Sequence, residues 1–163
     1  MIYKIADSHD APVIHEVMIQ AFLYDKAEPT TLAVPIETAD QIALALEGGE
    51  KAIIAFDEED GSPVATVRFA LKETDGVDFH QLSVLPGKQG QGIGKALLRF
   101  MEAYAASCNR NTVTCKVRMN APRQIRLYDS IGYSVLGEEL EQKPDGTSVP
   151  VVALRKVLQL QPA

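Results

Sequence analysis

The chain of 163 residues has no tryptophan, two cysteines and three histidines, and only 6% of its residues are aromatic. Cys108 and Cys115 do not form a CxxC pair and the histidines are scattered, so the sequence predicts neither a disulfide framework nor a metal site. No apolar run approaches the roughly 18 to 20 residues that span a bilayer, and the first residues lack a secretory pattern. We therefore expect a cytoplasmic protein with no metal and no membrane partner.

The length and a hydrophobic share of 46% are typical of one globular domain, so we expect a single domain over residues 1–163. The net charge of −6 is unevenly distributed, because residues 1–76 carry −10 and residues 77–163 carry +4. An acidic chain without a basic stripe is a poor nucleic-acid binder, since phosphate neutralisation needs clustered Lys and Arg. The asymmetry suits an anionic ligand on the C-terminal part and a cationic one on the N-terminal part, although solvated acidic helices and loops explain it equally well.

The spacing of apolar residues predicts elements in the order β α α β β β α β α β β. Glycine, proline and capping residues mark the ends of these elements. The predicted strands cover residues 1–6, 52–56, 64–71, 77–84, 112–117, 133–138 and 149–157. The predicted helices run from a cap at Asp7 or Ser8 to about residue 22, and over residues 38–47, 93–105 and 120–131, with a loop over 25–36.

The three predicted strands between residues 52 and 84 follow one another through short turns and are therefore expected to be antiparallel. A strand, helix, strand succession then follows, which normally makes the two strands parallel through a right-handed crossover. The sequence thus predicts an α/β fold with a mixed sheet and helices on its faces.

The strongest chemical signal is the glycine-rich segment QGQGIGK at residues 89–95, between a predicted strand and an amphipathic helix. Glycines there let consecutive N–H groups approach an anion, and the helix dipole adds partial positive charge, so phosphate or pyrophosphate is the natural ligand. The pattern GxxxxGK[ST] fails because Gln89 and Ala96 stand at its ends, and GxGxxG fails because Lys95 or Leu97 stands where its last glycine is required. A glycine-rich helix start without a ligand is the alternative.

The register that fits is Gln-x-x-Gly-x-Gly over residues 89–94, preceded by LSVLP at 82–86 and followed by ALL at 96–98. It resembles the acyl-CoA-binding motif of the GNAT superfamily of N-acetyltransferases. Asn120 and the segment RLYDSIGY at 126–133 resemble the second motif of that superfamily, an asparagine followed by a helix with a late tyrosine and a Gly-aromatic ending. The resemblance covers about residues 77–138, with Tyr133 where phenylalanine is more usual, and the N-terminal part agrees in element order only.

The resemblance implies a GNAT-like fold, in which a mixed, mostly antiparallel sheet is flanked by helices and a splayed parallel strand pair forms the acyl-CoA cleft. It implies acetyl-CoA as cosubstrate, with the pyrophosphate on the N–H groups of the glycine turn and pantetheine on the Val84 N–H. The Leu82 N–H would face the thioester carbonyl and act as an oxyanion hole. The residues implied to bind coenzyme A are Leu82, Val84, Gln89, Gly90, Gln91, Gly92, Ile93, Gly94, Lys95 and Asn120.

Five basic residues near these motifs could neutralise phosphates, although each alone is typical of a solvated surface charge. They are Lys88, Lys95, Arg99, Arg123 and Arg126.

Tyr128 matches the superfamily tyrosine near the end of the second-motif helix, which implies that its hydroxyl protonates the departing thiolate. Helical spacing alone favours a core aromatic instead, because Tyr128 shares a face with Ile125. Asn120 likewise has two interpretations, as a helix cap and as a contact to coenzyme A.

The general base is open between Asp78 and His80. The two-residue period of a strand places Asp78, His80, Leu82 and Val84 on one face, where the acyl group would lie. In the superfamily a glutamate often occupies the position of Asp78 or His80. Histidine ordinarily exchanges its proton near neutral pH, which favours His80, and a structural histidine at a strand end is the equal alternative.

The sequence therefore predicts an N-acetyltransferase that moves an acetyl group from acetyl-CoA directly to a primary amine of a small molecule or peptide. The alternative is a non-catalytic acyl-CoA-binding sensor or interaction module. The charge asymmetry favours cationic amines such as polyamines or lysine side chains. Dimers are common in the superfamily, so a homodimer is compatible with the resemblance, but the residues specify no interface.

Overall fold

The computed structural model describes residues 1–25, 37–119, 122–142 and 146–158, and its elements follow the predicted order. The strands are β1 (Ile2–Ile5), β2 (Lys51–Phe56), β3 (Pro63–Leu71), β4 (Gly76–Val84), β5 (Thr112–Arg118), β6 (Ser134–Gln142) and β7 (Ser148–Val157). The α-helices are α1 (Ala11–Asp25), α2 (Ala39–Glu47), α3 (Ile93–Ser107) and α4 (Pro122–Ser130). The loop expected over residues 25–36 lies almost entirely outside the described residues.

The described strands form one sheet in the order β1-β2-β3-β4-β5-β7-β6. Each neighbouring pair is antiparallel except β4 and β5, which are parallel. α3 supplies the crossover between these two strands, as the strand, helix, strand succession predicted. The expected mixed, mostly antiparallel α/β sheet is confirmed.

β4 and β5 separate soon after they meet. They pair only as Gly76 with Thr112, Val77 with Val113 and Asp78 with Thr114. Both strands continue beyond these pairs, to Val84 and Arg118. The facing edges are therefore left without a partner strand, and the predicted splayed pair is confirmed.

The sheet buries apolar side chains on both faces. β2 shows the division, because its alternate residues point to opposite sides. Ile53 packs into a core that includes Leu98 of α3. Ile54 packs into a second core with Ile14 of α1 and Ile42 of α2. α1 and α2 thus cover one face of the sheet, and α3 covers the other.

Local capping explains where the N-terminal helices begin. The Gln41 N–H donates to Thr38 Oγ1 at 3.2 Å, and the Thr38 N–H donates to Gln41 Oε1 at 2.8 Å. This reciprocal capping box starts α2, and Gly48 ends it. Asp7 caps in the same way, but the element it starts is a short 3-10 helix over Ser8–Asp10 that precedes α1. None of the helices in the described ranges is long and apolar enough to cross a bilayer.

A bulge interrupts β4. Thr66 of β3 pairs with Ser83, but Arg68 pairs with His80, so β4 has one more residue than β3 between these two pairs. An extra residue in one strand reverses the alternation of side chains beyond it.

The bulge overturns the prediction that Asp78, His80, Leu82 and Val84 share one face. Asp78 and His80 lie on the face covered by α1 and α2. The side chains of Leu82 and Val84 lie on the α3 face, where they would contact a Cβ on Gly94 at 3.8 and 3.6 Å. The prediction was wrong because the two-residue period assumes a regular strand.

Candidate active site

The turn between β4 and α3 leaves the first N–H groups of α3 without a side-chain cap. Gly92 is the N-cap and has a φ of 79°, and Gly90 also has a φ of 79°. Glycine adopts this left-handed conformation without strain. A Cβ on either residue would meet nothing within 4 Å, so the turn is open on its outer side. Uncapped N–H groups at a helix start, together with the helix dipole, can hold an anion here.

Gln89 ties this turn to the end of β4. Its Nε2 donates to the Val84 carbonyl oxygen at 3.3 Å. The Leu85 N–H donates to the Val64 oxygen on β3 at 2.9 Å. Alternation along a strand then directs the Val84 N–H and carbonyl to the other edge, which β5 has left. The glycine turn therefore begins where the unpaired edge of β4 ends.

The basic side chains near the turn differ in their surroundings. Lys88 forms an ion pair with Asp57, with 3.4 Å between Nζ and Oδ2. Lys95 is half-buried, and Arg99 and Arg126 are exposed. Within the described part of the chain these last three side chains form no ion pair, so they can contact an anion. The predicted contact Asn120 lies outside the described residues, as does the side chain of Arg123.

Tyr128 lies buried in an aromatic cluster on the α3 side of the sheet. Its ring centroid is 5.8 Å from those of Phe79 and Tyr133. The Tyr133 hydroxyl donates to Glu102 Oε2 at 2.8 Å, whereas the Tyr128 hydroxyl makes no hydrogen bond within the described part of the chain. Burial, reinforced by Cys115, raises the pKa of Tyr128, so its hydroxyl keeps its proton at neutral pH. Tyr128 is a core aromatic, as its spacing indicates, with an uncommitted hydroxyl.

Asp78 marks the point at which β4 and β5 diverge. Thr114 Oγ1 donates to its carboxylate at 2.9 Å, across the last pair of the two strands. Burial raises the pKa of the Cys115 thiol to about 12, and the Asp78 charge adds to this shift. Cys115 is therefore a thiol rather than a thiolate at neutral pH, which makes it a poor nucleophile.

His80 belongs to a charged network on the face covered by α1 and α2. Arg68, which is only 1% exposed, donates to Glu37 from Nη1 at 2.7 Å and from Nη2 at 3.2 Å. Its Nη2 also donates to Glu50 Oε2 at 2.7 Å. The other oxygen of Glu50 contacts Nε2 of His80. The side chain of His80 is 43% exposed, so the network runs from a buried guanidinium to an accessible imidazole.

Glu50 and Arg68 stabilise each other's charged forms. Partial burial is the largest influence on Glu50 and raises its pKa, but hydrogen bonds from His80 and Arg68 and their charges together lower the pKa below its usual value. Burial likewise opposes the charge of Arg68, and its hydrogen bonds to Glu37 and Glu50 outweigh it and raise the pKa. Two carboxylates thus face one guanidinium beside His80.

The sequence contains one signal of this network, and it was not among the predicted site residues. Arg68 interrupts the apolar run VATVRFAL of β3, and a charge in a buried strand requires a partner. Glu50 and Glu37 lie 18 and 31 residues away from Arg68 along the chain. No periodicity predicts a pairing over such separations.

An open depression of about 300 Å³ lies elsewhere, at the paired ends of β4 and β5. Its lining residues are Lys72, Thr74, Asp75, Gly76, Thr112 and Thr114, and they include none of the candidate site residues. Within residues 1–25, 37–119, 122–142 and 146–158, no three His, Cys, Asp or Glu side chains are arranged to hold a metal ion.

Comparison with known proteins agrees with this geometry. Residues 18–133 match the family model of the acetyltransferase (GNAT) family. A search of curated proteins finds no match.

Three solved structures illustrate the shared fold. A ribosomal-protein-alanine N-acetyltransferase from Brucella melitensis has a TM-score of 0.74 at 19% identity, over 97% of this chain and 100% of that chain. A phosphinothricin acetyltransferase of the GNAT superfamily from Sinorhizobium meliloti, in complex with acetyl-CoA, has a TM-score of 0.73 at 18% identity, over 96% of this chain and 88% of that chain. A variant of the spermidine N-acetyltransferase from Vibrio cholerae has a TM-score of 0.73 at 16% identity, over 96% of this chain and 95% of that chain.

The glycine turn generates a first prediction. With free coenzyme A at about 100 times its Kd, we expect the ligand to stabilise the protein by about 2.7 kcal/mol, seen as a rise in Tm. Gly92→Val should abolish this rise, because a branched side chain strains the turn at positive φ and covers the N–H groups. The control is Gly146→Val, since Gly146 also has a positive φ, 88°, in open surroundings. Gly146→Val should lower the Tm of the free protein and keep the rise in Tm with coenzyme A. A rise in Tm with coenzyme A that survives Gly92→Val contradicts the assigned site.

Proposed function

Because the chain belongs to the GNAT acetyltransferase family, we propose that it transfers an acetyl group from acetyl-CoA directly to a primary amine of a small molecule or peptide. The observation that carries the proposal is the divergence of β4 from β5 next to an uncapped helix start. The divergence leaves a backbone edge for an extended acyl-pantetheine arm, and the turn offers N–H groups for its phosphates. One continuous path thus suits both parts of the cosubstrate.

The residues along this path suit the groups of acetyl-CoA, which supplies the activated thioester. The N–H groups at residues 89–95 would hold the pyrophosphate, with Asn120 as a further contact carried over from the family resemblance. The Val84 N–H lies on the unpaired edge and would bind pantetheine. The Leu82 N–H would donate to the thioester oxygen, and this bond strengthens as negative charge develops there.

Tyr128 is the proposed acid. Its raised pKa keeps the hydroxyl protonated, so it can donate to the departing sulfur. The aromatic contacts with Phe79 and Tyr133 hold the ring in place. Tyr133 itself is less suited to this role, because its hydroxyl already donates to Glu102.

His80 is the proposed base, since its exposed imidazole can reach a substrate ammonium group. The carboxylate of Asp78, half-buried and bonded to Thr114, remains the alternative. His80 and Tyr128 lie on opposite faces of the sheet, and the gap between β4 and β5 joins these faces. An amine that approaches from the His80 side would therefore attack the carbonyl while the sulfur faces Tyr128.

With His80 as base and Tyr128 as acid, every proton in the reaction is accounted for. His80 takes one proton from the ammonium, and the amine nitrogen forms a C–N bond with the carbonyl carbon. The C–S bond breaks, its electron pair goes to sulfur, and Tyr128 supplies a proton to the thiolate. The new amide nitrogen loses its surplus proton, which restores Tyr128 through solvent. His80 then releases its proton to water.

The acceptor side favours a cationic amine. Glu37 and Glu50 outnumber Arg68 there, and Asp78 lies on the same face. The acidic residues 57–60 belong instead to the turn between β2 and β3, where the carboxylates of Asp57 and Asp60 accept turn N–H groups. We propose that the carboxylates near His80, rather than those of the turn, attract polyamines, basic amino-acid derivatives or lysine side chains.

Removal of the Tyr128 hydroxyl tests the acid. We expect Tyr128→Phe to lower kcat by about 10² to 10⁴, the range for a lost general acid, with little change in affinity for coenzyme A. The control Tyr133→Phe removes a buried hydrogen bond and should cost about 1 to 3 kcal/mol of unfolding free energy without a comparable loss of kcat. An unaltered kcat in Tyr128→Phe would restrict Tyr128 to a packing role.

The pH profile tests the base. The imidazole must be neutral to accept a proton, so kcat/KM of the wild type should fall as the pH falls and His80 becomes protonated. His80→Ala should lower kcat/KM and flatten this acidic limb. His9→Ala, at a fully exposed histidine of the N-terminal 3-10 helix, should leave the profile as it is. An unchanged limb in His80→Ala would transfer the role to Asp78 or to a water chain.

Thiol release from acetyl-CoA with matched amines tests the substrate class. A cationic amine should give a higher kcat/KM than a neutral analogue of equal size. Added salt should lower the ratio of these two kcat/KM values towards one, because exposed charges are screened beyond about 8 to 10 Å. Glu59→Gln in the turn between β2 and β3 should leave the ratio unchanged. A ratio near one at all salt concentrations would contradict the electrostatic preference. Binding of acetyl-CoA without thiol release for any amine would favour the alternative function, a non-catalytic acyl-CoA-binding sensor.

A further inference from the structure

We infer that Glu50 is a positioning residue that fixes the tautomer of His80, so that Nδ1 of His80 is the atom that accepts the substrate proton. This inference rests on the proposed function, because it assigns an atom to the proposed base. Glu50 immediately precedes β2, and the sequence marks it by no motif. Its importance comes from what its two oxygens contact.

The carboxylate of Glu50 bridges a cation and an imidazole. Oε2 accepts from Arg68 Nη2 at 2.7 Å and from Arg68 Nε at 3.3 Å. Oε1 contacts His80 Nε2. Arg68 is buried, and its other end is bonded to Glu37. The orientation of the Glu50 carboxylate is therefore held from the protein interior, while its second oxygen meets the exposed ring.

The charge of Glu50 decides which ring nitrogen carries the proton. An ionised carboxylate has no proton to donate and can only accept hydrogen bonds. His80 Nε2 must then be the donor, so the neutral ring carries its proton on Nε2 and its lone pair on Nδ1. Nδ1 is consequently the nitrogen that can remove a proton from an ammonium group. After it does so, the imidazolium still donates Nε2–H to Glu50, whose negative charge stabilises it.

A purely structural ion pair would behave differently. It would hold β3 and β4 to the residue that precedes β2, and its loss would lower stability whether or not His80 is present. A positioning role makes the effect of Glu50 on kcat depend on His80. The two roles are therefore separated by the tautomer of the ring and by a double-mutant cycle.

Nitrogen-15 NMR reads the tautomer without any turnover. The chain has three histidines, so His80→Ala identifies the signals of His80. At a pH where the ring is neutral, we expect the wild type to show the Nε2–H tautomer, and Glu50→Gln to shift the population towards Nδ1–H. The matched control is Glu47→Gln, the same change at an exposed position three residues earlier, which should leave the tautomer unchanged. A predominant Nδ1–H tautomer in the wild type overturns the inference.

Kinetic measurements test whether the position of the His80 ring affects catalysis. We expect Glu50→Gln to lower kcat about 10-fold to 100-fold, part of the 10² to 10⁴ that a positioned base contributes, with the KM for acetyl-CoA unchanged. Glu50→Asp, which keeps the carboxylate, should recover part of this loss. In a His80→Ala background, Glu50→Gln should cause no further loss of kcat. An equal loss in both backgrounds makes Glu50 merely structural and overturns the inference.

The outcomes separate the inference from the proposed base. A His80→Ala variant with the kcat of the wild type overturns both, because no proton then passes through the ring. An active enzyme that depends on His80 but has the Nδ1–H tautomer overturns only the role of Glu50. Dependence on His80, the Nε2–H tautomer and non-additive loss in the double variant together support it.

Discussion

β4 pairs with β5 over three residues, and beyond Asp78 no strand in the described part of the chain pairs with β4 on that side. Unpaired N–H and C=O groups in the middle of a sheet are costly unless water or a ligand satisfies them. The sheet tolerates the gap because α3 connects the two strands and its apolar residues cover the α3 face around them. The cleft is thus a consequence of the fold itself, and the edge it exposes offers backbone donors and acceptors to an extended amide chain.

The gap also connects two chemically different faces. On the α3 side, Tyr128 is enclosed by aromatic rings, and burial keeps its proton in place. On the other side, His80 is exposed and lies beside an ionised carboxylate. The bulge in β4 places Leu82 and Val84 against α3 and leaves His80 on the opposite face. One extra residue therefore puts the side chains of Leu82 and Val84 on one face of the sheet and that of His80 on the other.

Arg68 shows how a buried charge can serve this arrangement. Burial of a guanidinium is unfavourable unless its hydrogen bonds are satisfied, and a buried ion pair often contributes little net stability. Arg68 is bonded to both Glu37 and Glu50, and the second of these continues to His80. The network thus connects a buried guanidinium to an exposed imidazole through one carboxylate, and this contact is the basis on which we infer that Glu50 positions His80.

The sequence by itself determined the order of the elements, the antiparallel pairing of β2, β3 and β4, the parallel pairing of β4 with β5 and the glycine turn, because these depend on periodicity, capping and turn residues that are close together in the chain. It also identified Tyr128, Asp78 and His80 as candidates, through motifs and position. The tertiary structure alone decided the face on which Leu82 and Val84 lie, since a bulge is defined by the register of two strands. It alone brought Glu37 and Glu50 to Arg68 across 31 and 18 residues, because such contacts follow from how the whole sheet is packed and leave no local pattern.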